Sequence, residues 1–400
     1  MRENTDKKMD KARQTNREKP VRAGMVDVHD AKAEDGAKSV NGAATAADGA
    51  KSVNGAANAD SEKGANGAKD AGTDLTVRAF AKINLSLDVL GRLRNGYHQV
   101  KMVMHAIDLH DVVQMAWLED DACGGLVIAL DPGSKDLPAD GSNLAWQAAE
   151  RMHRAYCPER RGRLLLRIEK NIPSGAGLAG GSSDAAAVML GLAMLWSLPK
   201  DLSTLCRLGA TVGADVVFCL MSIAACEPQL GFCKDPQAAT CALAEGTGVE
   251  MTPLPSVKAE LVLSKPDFSV STAEVYRGID ACRIDAHPDV DAQVEGIRRG
   301  SMKMVLENMG NVLENYSLNR YDEIVYTKNT MKKLCDPCAV LMSGSGPTVF
   351  AITEAQEQKK RLFEAMRRIN RETFVSCTIQ KHTAAEPKQN RDETEQSKMK

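Results

Sequence analysis

Four hundred residues are enough chain for two or three domains with cores of their own. The 51 basic and 53 acidic residues leave a formal charge of −2, so no basic field argues for nucleic acid or a membrane surface, and 4% aromatic residues is poor material for a base-stacking platform. No apolar run approaches ~18 residues, so no membrane-spanning helix is predicted.

Residues 1–73 are a different material from the rest. GAKSVNGAA occurs at Gly36–Ala44 and again at Gly49–Ala57, among Ala, Gly, Asn, Asp, Lys and Ser. Such a stretch buries too little apolar surface to offset the entropy of ordering, and it reads as a disordered tail. It has no apolar core for a secretory signal, and Asp6, Asp10, Glu18, Asp27 and Asp30 are too acidic for a transit peptide. Residues 381–400 read as a second tail. Eleven cysteines without a secretory signal predict a reducing compartment, the cytoplasm. Cys335 and Cys338 form a lone C-x-x-C, and Cys219, Cys226, Cys233 and Cys241 are loosely spaced; free buried thiols are expected for all.

Folded structure is predicted from Leu75. Ile83 to Val89 alternates strictly, the pattern of a strand with one wet face carrying Lys82, Asn84, Ser86 and Asp88. A turn over Gly91–Gly96 leads through Tyr97 and His98 into a second strand, Gln99–Leu109. An amphipathic helix follows at Asn143–Tyr156, then a short apolar strand at Arg163–Glu169. The next stretch, Lys170–Leu195, is the most informative in the chain. Glycine supplies four of the seven residues from Gly175 to Gly181, and Ser182, Ser183 and Asp184 are good N-caps for the alanine-rich helix beyond.

A strand, a bare glycine loop and a helix mouth aim backbone N–H groups and a positive dipole end at one spot, which suits a phosphate chain. A flexible connector is the bland alternative, but connectors seldom run straight into such a helix. No lysine follows the glycines, so the G-x-x-x-x-G-K-[ST] loop is absent. Gly175, Gly177 and Gly180 match the dinucleotide pattern G-x-G-x-x-G, but its acidic partner would be Asp201, at a helix exit and not on a strand. A short helix near Asp201–Leu208 leads to Gly213, Ala214 and Asp215. In the second half, strands at Ala259–Ser264, Ala339–Met342, Thr348–Ile352 and Thr373–Ile379 alternate with helices at Ser271–Ile279, Asp322–Leu334 and Glu357–Asn370. Helices on an antiparallel-rich sheet is the economical packing.

The run Pro173, Ser174, Gly175, Ala176, Gly177, Leu178, Ala179, Gly180, Gly181, Ser182, Ser183 resembles the phosphate loop of the GHMP kinases. AKINL at Ala81–Leu85, Gly96-Tyr97-His98, Gly213-Ala214-Asp215-Val216 and Ser343-Gly344-Ser345-Gly346 extend the resemblance over residues 74–380, and AKINL with GYH points to the branch acting on a cytidine diphosphate compound.

The resemblance implies a two-domain α+β GHMP kinase fold, with an N-terminal domain over 74–255 and a C-terminal domain over 256–380. It also implies a left-handed βαβ crossover, opposite to the general rule. ATP is implied as co-substrate, with Mg²⁺ expected and its ligands unidentified. The loop 173–183 and the turn 343–346 would hold ATP, Lys82 and Asp215 would be catalytic, and Asn84 would hold the accepting hydroxyl. Asp215 on a Gly-Ala turn suits a general base, and a lysine beside it would keep it ionised. Tyr97 and Tyr276 would sandwich a cytosine whose edge meets His98; singly, a Tyr-His turn is more often a packing pair. Two departures stand out: an insertion at about 223–240, and Val217 where the family commonly has proline. Another GHMP kinase, of homoserine or mevalonate type, and a nicotinamide- or flavin-dependent oxidoreductase are the alternatives. The expected partner is a small molecule, with no nucleic acid or membrane, and the expected state a monomer or weak homodimer.

Overall fold

Two long antiparallel strands, β1 (Leu75–Arg92) and β2 (His98–Glu119), form the spine of the molecule. The computed structural model describes residues 75–284, 286–335 and 339–382; the tail over 1–73, residues 383–400 and Cys338 lie outside them. The polar face of β1 differs from the sequence expectation. Lys82, Asn84, Ser86 and Asp88 are all buried, because the glycine loop and helices of the second half cover that side of the strand. Period-2 alternation shows which residues share a face, not whether the face is wet.

Strand β3 (Leu126–Asp131), helix α1 (Leu144–Tyr156) and β4 (Gly162–Glu169) follow, with β3 and β4 parallel. Asn143 caps α1, its side chain accepting from the Ala145 N–H. Three helices come next: α2 (Gly180–Leu195), α3 (Leu202–Ala210) and α4 (Ala214–Cys226). Helix α2 is apolar on every side from Ala185 to Ala193 and is accordingly central, packed on α1, α4, β1 and β2. Strands β5 (Cys241–Glu245) and β6 (Glu250–Leu254) pair with each other and extend the sheet from β2.

Beyond β7 (Glu260–Lys265) come α5 (Thr272–Ile279), α6 (Val290–Arg298), α7 (Met302–Glu307) and the two-residue β8 (Gly310–Asn311). β8 pairs in parallel with β1 and completes a seven-stranded sheet of main order β3-β4-β2-β1-β8. Then α8 (Glu314–Arg320), α9 (Asp322–Leu334), β9 (Ala339–Met342), β10 (Val349–Ile352), α10 (Gln356–Arg367) and β11 (Glu372–Cys377) close the fold. The second sheet, β11-β7-β10-β9, is antiparallel with α9 and α10 on it, the two-layer packing expected.

The insertion at 223–240 is built into the core. Leu230, Phe232 and Ala238 are buried, and buried Glu227 pairs with Arg78 at 2.7 Å. Lys381 Nζ donates to the Ala238 carbonyl at 2.7 Å and the His382 N–H to the Ala225 carbonyl at 2.9 Å, so the start of the expected second tail is docked on it. Nine described cysteines are free thiols, but Cys335 is disulfide-bonded, which corrects the expectation of free thiols throughout. No described helix is long and apolar enough to cross a membrane.

His105 on β2 is fully buried. The Val257 N–H, which can only donate, points at its Nε2 at 2.9 Å, so the ring is neutral and its Nδ1–H donates to the Ala106 carbonyl at 2.8 Å. Burial pushes its pKa down to about 4, against the opposing Ala106 bond. The unfolded chain therefore binds this proton first, so stability is full above the ordinary histidine pKa of ~6.5 and falls as pH drops toward 4, by about 3 kcal/mol. His105→Gln should flatten this part of the melting-temperature profile between pH 6.5 and 4. Equal slopes for variant and parent would remove His105 from the acid response.

Candidate active site

Strand β1 places Lys82 and Asn84 two residues apart and so on one face. Lys82 Nζ donates to Asn84 Oδ1 at 2.8 Å and stands 3.9 Å from Asp215 Oδ2. A buried ammonium needs such partners, since burying it unpaired is costly. Asp215 lies in the first turn of α4 behind Gly213, where the helix N-terminus and Lys82 both place positive potential around the carboxylate.

The glycine loop reaches Lys82 from the other side. The Lys82 N–H donates to the Leu178 carbonyl at 3.1 Å, and the Ser343 hydroxyl donates to the Gly177 carbonyl at 3.0 Å. Gly177 has φ +75°, and a Cβ there would lie 2.3 Å from the Ser343 carbonyl oxygen. Only glycine meets both demands. A Cβ on Gly344 would lie 3.3 Å from Lys82 Nζ, so loop 173–183, turn 343–346 and the lysine share one corner.

Helix α2 starts earlier than the sequence implies. Its N-cap is Ala179, left-handed at φ 60°, with no side-chain cap bond, and Ser182, Ser183 and Asp184 fall inside the helix and not at its cap. The two glycines let the helix begin directly on the loop, and its mouth carries no side-chain acceptor. The Ser183 hydroxyl is buried and donates to the Phe80 carbonyl at 2.7 Å, holding α2 on β1. Asp201, the candidate dinucleotide acid, caps α3 through the Thr204 N–H and follows no strand.

A cleft of about 940 Å³ opens over this corner. Pro173, Ser174, Gly175, Ala176, Gly177, Ala179, Gly180, Gly181 and Ser182 line it with Gly344 and Ser345, whereas Leu178, Ser183, Ser343 and Gly346 stand behind that lining. Lys82, Asn84, Asp215, Tyr97, His98 and Tyr276 also line it, so one cavity unites the residues read from distant motifs. Tyr97 is 66% exposed, which argues against a packing role for its ring. The Tyr276 ring lies 5.2 Å from that of His98, and burial, with Asp215 nearby, pushes the Tyr276 phenol pKa up.

Several wall residues had no motif to announce them. Lys170 bridges Asp111 and Asp184, the latter at 2.7 Å, directly beneath Gly180. Burial works against the charge on Lys170, yet the two carboxylates hold its pKa up; burial also raises that of Asp184, whose Oδ1 has no hydrogen-bond partner. Pro138 and Asn143 flank the loop, a position set by folding alone. Asp280 contacts His98, and its spacing of one helical turn after Tyr276 was the available signal.

A glycine loop at a bare helix mouth, closed by a second turn beside a Lys–Asp pair, is the architecture of a small-molecule kinase. Residues 143–222 match the GHMP kinases N terminal domain and residues 293–372 the GHMP kinases C terminal domain. The 4-diphosphocytidyl-2-C-methyl-D-erythritol kinase of Geobacillus kaustophilus (strain HTA426) is 43% identical over 295 residues, covering 73% of this chain and 93% of the relative. That of Geobacillus sp. (strain WCH70) is 41% identical over 294 residues, with the same 73% and 93% coverage. A crystal structure of 4-(cytidine 5′-diphospho)-2C-methyl-D-erythritol kinase superposes with TM-score 0.59 at 29% identity, covering 76% of this chain and 98% of that one. The chain belongs to the 4-diphosphocytidyl-2-C-methyl-D-erythritol kinase family of the GHMP kinases.

Gly177→Ala should weaken ATP binding by about 10²-fold, because the added Cβ forces the loop off the 343–346 turn. Titration calorimetry with ATP checks it; an unchanged dissociation constant would mean the loop does not need this approach.

Proposed function

We propose that the chain transfers the γ-phosphoryl group of ATP to the 2-hydroxyl of 4-diphosphocytidyl-2-C-methyl-D-erythritol, in the methylerythritol phosphate route to isoprenoid precursors. The observation that carries this reading is the continuity of the cleft. Gly344 adjoins Gly177 and Lys82, Lys82 stands 3.9 Å from Asp215, Asp215 and Tyr276 line the same cleft, and Tyr276 packs on His98. A nucleotide phosphate chain at one end and a cytidyl group at the other would bring the acceptor hydroxyl to the middle.

In this reading the loop backbone and the mouth of α2 hold the ATP phosphates. Asp215 accepts the hydroxyl proton, the freed oxygen attacks the γ-phosphorus, and the bond to ADP breaks. Lys82 offsets charge on the transferring group, while Asn84 holds Lys82 and the acceptor in register. Lys82 stands 3.9 Å from Asp215 Oδ2, beyond hydrogen-bond range, so its ammonium does not occupy that carboxylate oxygen. Such chemistry is mainly positioning and charge stabilisation. Tyr97 and Tyr276 stack the cytosine, and His98 meets its edge.

Among the described residues no cluster of three or more His, Cys, Asp or Glu could hold a metal ion. That fits magnesium carried largely by the nucleotide phosphates, with Ser182 and the unpartnered Asp184 Oδ1 as the wall's donors. When bound it would neutralise phosphate charge. Every proposed residue comes from one chain, so a monomer would suffice, and the cytoplasm would supply ATP and a reducing setting for the nine free thiols.

A coupled ADP-release assay should show turnover with the cytidyl substrate and Mg²⁺, and little with homoserine or mevalonate. Asp215→Asn should cut kcat by about 10²–10⁴ with both binding constants nearly unchanged. Lys82→Ala should act similarly, and the double variant should lose far less than the product of the two. Full turnover by Asp215→Asn would remove the proposed base.

A further inference from the structure

Asp280 follows α5, one turn beyond Tyr276, and is absent from every motif that identified the site. Its Oδ1 lies 2.6 Å from His98 Nε2, and its Oδ2 lies 3.5 Å from an Arg92 guanidinium nitrogen. The guanidinium matches an ionised carboxylate, which can only accept, so the hydrogen of this bond belongs to Nε2. The His98 side chain is only 9% exposed and its ring packs on Tyr276, so the ring cannot readily turn over. Nδ1 has no hydrogen-bond partner among the described residues, and the cleft runs past this ring. With Nε2 protonated, the neutral ring presents Nδ1 as a bare acceptor.

We propose that Asp280 is a positioning residue that sets base specificity: by fixing the His98 tautomer it makes the site accept the 4-amino group of cytosine and refuse the 4-carbonyl of uracil. The proposal rests on the cytidyl reading above. Cytosine offers an N–H donor at position 4, which a bare Nδ1 accepts. Uracil offers a carbonyl oxygen there, so two lone pairs would face each other and a buried acceptor would stay unpaired. Sites built around one donor–acceptor match reject the mismatched analogue far better than pockets that discriminate by size. Arg92, 3.5 Å from the far oxygen of Asp280, holds the carboxylate in place beside the ring.

The test uses the full chain with cytidine 5′-diphosphate and uridine 5′-diphosphate as probes. The parent protein should bind the cytidine compound about 10- to 100-fold more tightly by calorimetry, the range of one mispaired buried group. Asp280→Asn can face His98 with either its carbonyl or its amide, so both tautomers become available. The preference should shrink to within about threefold while ATP affinity stays the same. Nitrogen-15 NMR of the imidazole reads the tautomer directly and needs no variant: in the parent, Nδ1 should resonate as an unprotonated ring nitrogen and Nε2 as a protonated one. A parent that binds both diphosphates equally would overturn the cytidyl reading and this proposal with it. A parent that discriminates but carries its proton on Nδ1 would overturn the role of Asp280 alone. So would an Asp280→Asn variant that keeps the full preference.

Discussion

The site depends on one close approach, the backbone of Gly177 against the turn at 343–346. Residues far apart in sequence hold it there: Lys82 through the Leu178 carbonyl, Ser343 through the Gly177 carbonyl, and Asn311, whose side-chain amide donates to the Met342 and Gly344 carbonyls at 2.8 Å each. Thr272 and Ser317 reach Ser345 from α5 and α8. The loop is thus gripped between the spine strand of one sheet and the hairpin of the other. Its N–H groups are thereby fixed in advance of the phosphate proposed to bind them, which is the condition under which fixed dipoles stabilise charge most effectively.

Two lysines of the cleft wall divide the electrostatic work. Lys170, behind the loop, is clamped between Asp111 and Asp184, and Asp111 also accepts from the Asn171 and Ile172 N–H groups at 2.6 and 2.8 Å. That tight, multiply bonded group fixes the strand-to-loop junction. Lys82 has one carboxylate, 3.9 Å away, and a neutral amide. A loosely held ammonium can respond to charge that develops beside it, whereas one already saturated by two carboxylates has little left to give. In the proposed mechanism the same residue type therefore supports structure in one place and faces the reacting groups in the other.

Local pattern carried much of this. The helix at Asp322–Leu334 and the strand at Ala339–Met342 are those read from the sequence, and the glycine loop announced itself through the strand before it and the alanine-rich helix after it. What local pattern does not encode is who covers whom. The polar face of β1 alternates as an exposed strand would, but tertiary packing buries it. The serines at 182 and 183 look like caps, yet Gly180 and Gly181 let the helix begin before them, and Ser183 turns inward to Phe80. Asp280 is legible only once α5 is known to face His98. Lys170 likewise needed Asp111, 59 positions earlier, to acquire a role.

In the proposed mechanism the two halves of one cleft do separable jobs, and Tyr97 tests that division most directly. Its ring is 66% exposed at the lip of the cleft, so truncation should spare the core. If it stacks on cytosine, Tyr97→Ala should raise the dissociation constant of the cytidyl substrate by about 5- to 150-fold, the equivalent of ~1–3 kcal/mol of lost stacking. The ATP constant should barely move. A sharp fall in melting temperature with unaltered substrate affinity in the folded fraction would contradict the account and leave the acceptor of this kinase open.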